Sequence, residues 1–207
     1  MAKLGSIIYF DGPDGAGKTT QLKRASEALR EQGYNVHHTR SMGGTPLGEL
    51  LREAALSPNN RPVETDLYIA LACQHALAAD ILLRREAGEI ILVDRSPLSI
   101  IAYQVFGDGL DKKIGYEAVR EVLELIQPNL MITYAGNQAL LDTRRKQRNR
   151  LIDTDYFESK SRAYHHRVAK GFAEGAEHFS AVVVDCEPSI TEVHDVTMQI
   201  ISKSLLD

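Results

Sequence analysis

The sequence predicts an α/β fold with a five-stranded parallel sheet flanked by helices. Strand and helix signals alternate along the whole length, as they do in chains that cross over between parallel strands. Several strand segments are unbroken apolar runs, the pattern of strands buried on both faces. One such run leads into a glycine-rich loop that opens a helix.

In chain order, Ile7-Ile8-Tyr9-Phe10 is an apolar run that stops at the turn pair Asp11-Gly12, which suits a buried first strand. From Thr19 to Gln32 the apolar residues Leu22, Ala25 and Leu29 fall three and four apart, and Gly33 supplies a stop, so a helix is expected. Val36 to Thr39 is a weaker second strand. A long, mostly apolar helix is expected from Asp66 to Ala87, closed by Gly88. Ile90-Ile91-Leu92-Val93 forms a third strand that runs directly into Asp94-Arg95. Tyr116 to Gln127 carries Val119, Val122, Leu123 and Ile126 on one helical face, with Pro128 as breaker. Leu130 to Tyr134 and Ala181 to Val184 are the fourth and fifth strands, and Ile190 to Leu205 a closing helix. The basic run Arg144-Arg145-Lys146-Gln147-Arg148-Asn149-Arg150 lies between two helical segments.

The 207 residues fit one domain spanning residues 1–207. Such a chain can bury roughly 70% of its unfolded surface and needs no disulfide or zinc staple. Cys73 and Cys186 are too few and too far apart for either, which points to a reducing, cytoplasmic setting. Apolar runs fall short of the ~20 residues that cross a bilayer, and a net charge of −4 leaves no overall footprint for nucleic acid. No membrane or nucleic-acid partner is therefore expected. The histidines, His37-His38 and His165-His166 among them, show no third ligand at metal-binding spacing.

The chemistry begins at Gly12-Pro13-Asp14-Gly15-Ala16-Gly17-Lys18-Thr19-Thr20, which contains G-x-x-x-x-G-K-[ST] between a strand and a helix. A chance match somewhere in the chain is expected on the order of 1% of the time. Glycines let successive N–H groups turn inward around a polyphosphate, and the helix N-terminus adds positive charge. Lys18 can reach the β- and γ-phosphates, and the Thr19 hydroxyl can ligate Mg²⁺. ATP and Mg²⁺ are the expected cofactors. A guanine-specific Asn-Lys-x-Asp is absent, and Pro13 and Asp14 stand where partitioning ATPases carry an early lysine. The kinase group remains, within a P-loop three-layer fold.

Three further stretches follow in order: Thr39-Arg40-Ser41-Met42-Gly43-Gly44-Thr45-Pro46-Leu47-Gly48, then Asp94-Arg95-Ser96-Pro97-Leu98-Ser99-Ile100-Ile101-Ala102-Tyr103-Gln104, then the basic run. Together with the P-loop they resemble the thymidylate kinase family, over roughly residues 6 to 173. The resemblance implies phosphorylation of a deoxynucleoside monophosphate, dTMP to dTDP, by ATP. It implies that Arg40 binds the acceptor phosphate, whose geometry a guanidinium fork matches. It implies that Asp94 holds Mg²⁺ through water and that Arg95 clamps the transferring phosphate. Asp14 would contact the sugar 3′-OH, Ser99 would belong to the acceptor site, Tyr68 would stack on the base, and Tyr103 would pack under the sugar and exclude a 2′-OH. With no arginine in the P-loop, the catalytic cation would come from a lid over residues 137–155, with Arg148 and Arg150 as candidates and Arg144 in reserve. A homodimer packed through long helices is also implied.

The chain departs from the family pattern in three places, four residues in all. The arginine four residues after the stacking aromatic falls on Ala72, the polar residue after the motif serine falls on Ile100, and Glu-Pro is replaced by Ser41-Met42. A pocket reading hydrogen-bonding groups discriminates by ~10⁴-fold and an apolar one by only 10- to 200-fold. The same chemistry on dUMP or a modified deoxynucleotide, and a non-catalytic nucleotide-binding regulator, are the alternatives these departures leave open.

Overall fold

The computed structural model describes residues 4–57, 61–149, 157 and 160–206, without the side chains of residues 148 and 149. Strands β1 (Ser6–Asp11), β2 (Val36–Arg40), β3 (Ile90–Asp94), β4 (Leu130–Ala135) and β5 (Val182–Asp185) form one parallel sheet in the order β2-β3-β1-β4-β5. β1 is central, with Phe10 aligned to Asp94 on one side and Ile132 on the other. The expected five-stranded α/β architecture is present.

The apolar runs are buried for the expected reason. Ile7, Ile8, Tyr9 and Phe10 of β1 and Ile91, Leu92 and Val93 of β3 are fully buried. Each such side chain contributes ~1.5–3 kcal/mol by leaving water. Ile8, Phe10, Leu92 and Tyr134 face one layer, packed with Leu22, Ala25 and Leu29 of α1 (Lys18–Glu31) and Val193 and Ile201 of α8 (Ile190–Leu206). Ile7, Tyr9, Ile91 and Val93 face the other, against Leu77 and Ile81 of α3 (Val63–Glu86) and Val122 and Ile126 of α5 (Lys112–Ile126). β5 departs from the two-faced pattern: it is the sheet edge, and Val183 is 55% exposed.

α3 has the length and hydropathy of a membrane-crossing segment, but its Leu77, Ala78 and Ile81 pack on the sheet as a core helix does. Three elements go beyond the sequence expectation. α2 (Pro46–Leu56) starts with Thr45 Oγ1 accepting from Gly48 N at 3.0 Å and with Pro46 in its first turn, both favourable helix starts. α4 (Leu98–Ile100) runs into a π-helical stretch, Ile101–Gly107. α7 (Arg162–His178) packs on that stretch because Gly171 presents no side chain; a Cβ there would meet Ala102 Cα at 2.7 Å. The basic run begins within α6 (Gln138–Asn149).

Candidate functional site

The C-terminal ends of β1 and β3 lie side by side, and the site grows from the loops that leave them. The loop after β1 turns through left-handed conformations at Gly12, Gly15 and Gly17. A Cβ on Gly12 would meet Tyr134 O at 2.3 Å, and one on Gly15 would meet Leu141 O at 2.8 Å. Gly15 thus lets α6 lean directly over the loop. Lys18 is buried, and its Nζ donates to Gly12 O at 2.8 Å and Pro13 O at 3.1 Å. Burial, with Arg95 nearby, pulls the Lys18 ammonium below the ordinary lysine range, while Asp14, Asp94 and Asp11 oppose this.

A carboxylate that was not anticipated as a site residue ties the two loops together. Asp11, 1% exposed at the end of β1, accepts from Gly12 N at 2.9 Å, Ser96 N at 2.8 Å, Ser96 Oγ at 2.6 Å and Ser99 Oγ at 3.1 Å. Burial raises its pKa, opposed chiefly by the bonds from Ser96. The turn it holds contains Arg95 at φ 73°, left-handed and unusual for a side-chain-bearing residue. Arg95 Nη2 donates to Asp14 Oδ1 at 2.8 Å and Nη1 to Tyr103 Oη at 3.0 Å; that phenol donates to Asp14 Oδ2 at 3.0 Å. Arg95, Asp14 and Tyr103 therefore form a closed ring of hydrogen bonds across both loops. Burial pushes the Tyr103 pKa up, so the phenol stays protonated and able to donate.

Thr19 Oγ1 donates to Asp94 Oδ2 at 2.6 Å at the mouth of the loop. A hydroxyl and a carboxylate are hard oxygen donors, which fit Mg²⁺. Among the described residues no three His, Cys, Asp or Glu cluster as a metal cage. An ion here would draw its other oxygens from nucleotide and water.

Two cavities meet at this ring. The larger, about 880 Å³, follows residues 14–23 and extends past Arg40, Arg144, Cys186 and Val193. The smaller is a slot between Met42, Leu56, Ala70, Ile100, Tyr103 and Phe157. Asp14, Ser41, Arg52 and Arg95 line both. Arg40 lines only the larger one and forks onto Glu49, with Nε to Oε1 at 3.2 Å. Glu49 also accepts from Gly44 N at 2.8 Å, and the Arg40 guanidinium holds its carboxyl below the usual range. The cation at the junction beside Arg95 is Arg52 of α2, whose Nη1 donates to Met42 O at 3.1 Å.

The expected residues are distributed unevenly. Residues 14–19, Asp94 and Arg95 converge on the larger cavity. Thr20 lines it as well, whereas Gly12 and Pro13 contribute carbonyls to Lys18. Ser99 and Tyr103 reach the slot, Ser99 with its hydroxyl committed to Asp11. Tyr68 does not: it is 69% exposed and lines neither cavity. The α3 residues facing the slot are Ala70 and Gln74, so Ala72 is not on that wall either. Arg144 lines the larger cavity and donates to Cys186 O at 3.0 Å. The Arg148 side chain and all of Arg150 lie outside the described residues, as do residues 150–155 of the expected lid. Arg52, Gln74 and Phe157 were not singled out from the sequence. Arg52 had a local signal, sitting on the helix that Gly43-Gly44-Thr45-Pro46 opens; the others are placed by topology.

Along most of its length the chain is similar to known proteins. The thymidylate kinase family model matches residues 10–196. A thymidylate kinase of Geobacillus sp. (strain WCH70) is 33% identical, covering 94% of this chain and 94% of its own. Those of Geobacter sulfurreducens and Dichelobacter nodosus are 33% and 34% identical, over 94% and 87% of this chain and 97% and 89% of theirs. The crystal structure of thymidylate kinase from Ehrlichia chaffeensis superimposes with a TM-score of 0.72 at 25% identity, covering 96% of this chain and 98% of that one. The chain belongs to the thymidylate kinase family, the nucleoside monophosphate kinases that convert dTMP to dTDP with ATP as phosphoryl donor.

Proposed function

We propose that the larger cavity holds ATP, the slot holds dTMP, and the γ-phosphoryl group passes between them at Arg95. The observation that carries this reading is the shared wall: Asp14, Ser41, Arg52 and Arg95 border both cavities, so a donor and an acceptor phosphate would meet there. Loop amides of residues 14–18 and Lys18 would hold the polyphosphate, with the adenine end toward Arg144, Cys186 and Val193. Mg²⁺ at Thr19 and Asp94 neutralises β- and γ-phosphate charge when bound.

Arg52 and Arg95 would hold the acceptor phosphate in line with the γ-phosphorus, and Arg95 would stabilise charge in the transition state. Asp14 and Tyr103 would meet the sugar, and the ring they form with Arg95 fixes its guanidinium before substrate arrives. Phe157 and Phe172 pack edge-on against the Tyr103 ring, with centroids at 5.5 and 5.9 Å, and hold it in place. Residues 137–155 would serve as the lid of a single domain, with Arg148 and Arg150 adding positive charge; the close approach of Leu141 to Gly15 supports this. The protein would work as a cytoplasmic enzyme with both cysteines reduced, consistent with the free, buried Cys73 and Cys186. Tyr68 and Leu83, 69% and 68% exposed at helical spacing on α3, support a homodimer packed through that helix. Tyr68→Glu should then yield monomers by light scattering, and an unaltered mass would argue against that interface.

Coupled measurement of ADP release with ATP, Mg²⁺ and dTMP tests the activity. Lys18→Ala should abolish transfer, and Arg95→Ala should lower kcat by orders of magnitude; an effect of Arg95→Ala confined to KM would exclude transition-state clamping. Tyr103→Phe strips a partner from both Asp14 and Arg95 and should lower stability by about 1–3 kcal/mol. An unchanged urea midpoint in that variant would mean the ring contributes nothing.

A further inference from the structure

The slot carries two buried amides that phosphoryl transfer leaves unused, Gln74 and Gln104, and the first is tied into the wall on one side only. Gln74 lies on α3 one turn beyond Ala70 and is 3% exposed. Its Nε2 donates to Ser41 Oγ at 2.6 Å, and its Oε1 has no hydrogen-bond partner. Ser41 is equally buried and is pinned through its N–H to Asp94 O at 2.9 Å. A buried amide oxygen left unpaired is costly, so such an atom on a residue that lines a cavity points to a ligand that brings the missing donor once the amide turns toward it. The neighbouring lining residues Met42, Leu56, Ala70 and Ile100 offer no polar side chain.

We propose that Gln74 reads the polar edge of the acceptor base, and that its pairing with Ser41 admits 4-amino as well as 4-oxo pyrimidine deoxynucleoside monophosphates. This rests on the slot being the acceptor site. With the phosphate at Arg52 and Arg95 and the sugar at Asp14 and Tyr103, the base would lie among the remaining lining residues of the slot, Gln74 one of them. A glutamine carries a donor and an acceptor on one terminal group, and a serine hydroxyl can give or take a hydrogen bond. A half-turn about the last torsion of Gln74 therefore exchanges Oε1 and Nε2 while keeping a bond to Ser41. With Oε1 inward it accepts from a 4-amino group; with Nε2 inward it donates to a 4-carbonyl. A donor-only side chain at this place would leave the amino base unpaired and reject it by ~10⁴-fold.

The experiment compares kcat/KM for dTMP and dCMP in the wild type, Gln74→Met and Gln74→Arg. The wild type is expected to use dCMP within about 30-fold of dTMP. Gln74→Met keeps the volume, removes both polar atoms, and should lower kcat/KM for both substrates by about 10- to 100-fold. Gln74→Arg should lower dCMP use relative to dTMP by a further 100-fold or so. Normal dTMP turnover with dCMP more than ~1,000-fold poorer would overturn the proposal, as would equal activity of wild type and Gln74→Met. If the variants fail to fold, the wild-type ratio alone decides. Absence of dTMP turnover would instead strike the assignment of the slot, and this proposal with it.

Discussion

The site depends on the buried carboxylate of Asp11. Two loops leave adjacent parallel strands, and nothing in a parallel sheet obliges those loops to keep a fixed distance. Asp11 imposes one by accepting hydrogen bonds from the base of the phosphate loop at Gly12 and from Ser96 and Ser99 in the neighbouring turn. A fully desolvated carboxylate is costly unless its lone pairs are filled, so the arrangement specifies a single geometry. The left-handed backbone of Arg95 is sustained by that anchor and by the bond from its own N–H to Phe10 O at 2.8 Å. The guanidinium is thus aimed before any phosphate binds, which is how an enzyme with little covalent chemistry to perform gains rate.

From this anchor the acceptor side follows by packing. The π-helical stretch after α4 brings Tyr103 to the ring and Gln104 to the slot, and α7 holds the stretch through Tyr164 and Phe172. π-helical turns often occur at functional sites because the extra residue re-aims side chains without ending the helix. On the opposite wall, α2 supplies Arg52 and α3 supplies Ala70 and Gln74. The slot is mostly apolar with a few placed polar groups, so shape selects the substrate class and a small number of hydrogen bonds selects within it.

Much of this was legible in the sequence, for physical reasons. Central parallel strands are buried on both faces, so β1 and β3 appear as unbroken apolar runs. The phosphate loop needs particular residues at particular spacing, so Gly12 through Thr19 can be read directly. The edge strand β5 shows the limit of that logic, because an apolar run there is half exposed. Tyr68 failed for a different reason. Residues 67–73 of α3 are apolar on every side, so periodicity does not reveal which face meets the slot. A two-residue shift turns a helical side chain by about 200°, enough to exchange Tyr68 for Ala70 and Ala72 for Gln74. Asp11 stayed hidden because its partners Ser96 and Ser99 lie 85 and 88 residues away, and Arg52 because it lines a cavity that exists only in the folded chain.

The most direct measurement is steady-state kinetics of Asp11→Asn with ATP, Mg²⁺ and dTMP, alongside circular dichroism to confirm folding. An amide can still accept from one side but places a donor against Ser96 and Ser99, so the turn bearing Arg95 should lose its fixed aim. The expected result is a kcat lowered by at least about 10-fold, with the KM for ATP little changed. A folded Asp11→Asn enzyme with wild-type kcat would mean that Asp11 does not set the aim of Arg95.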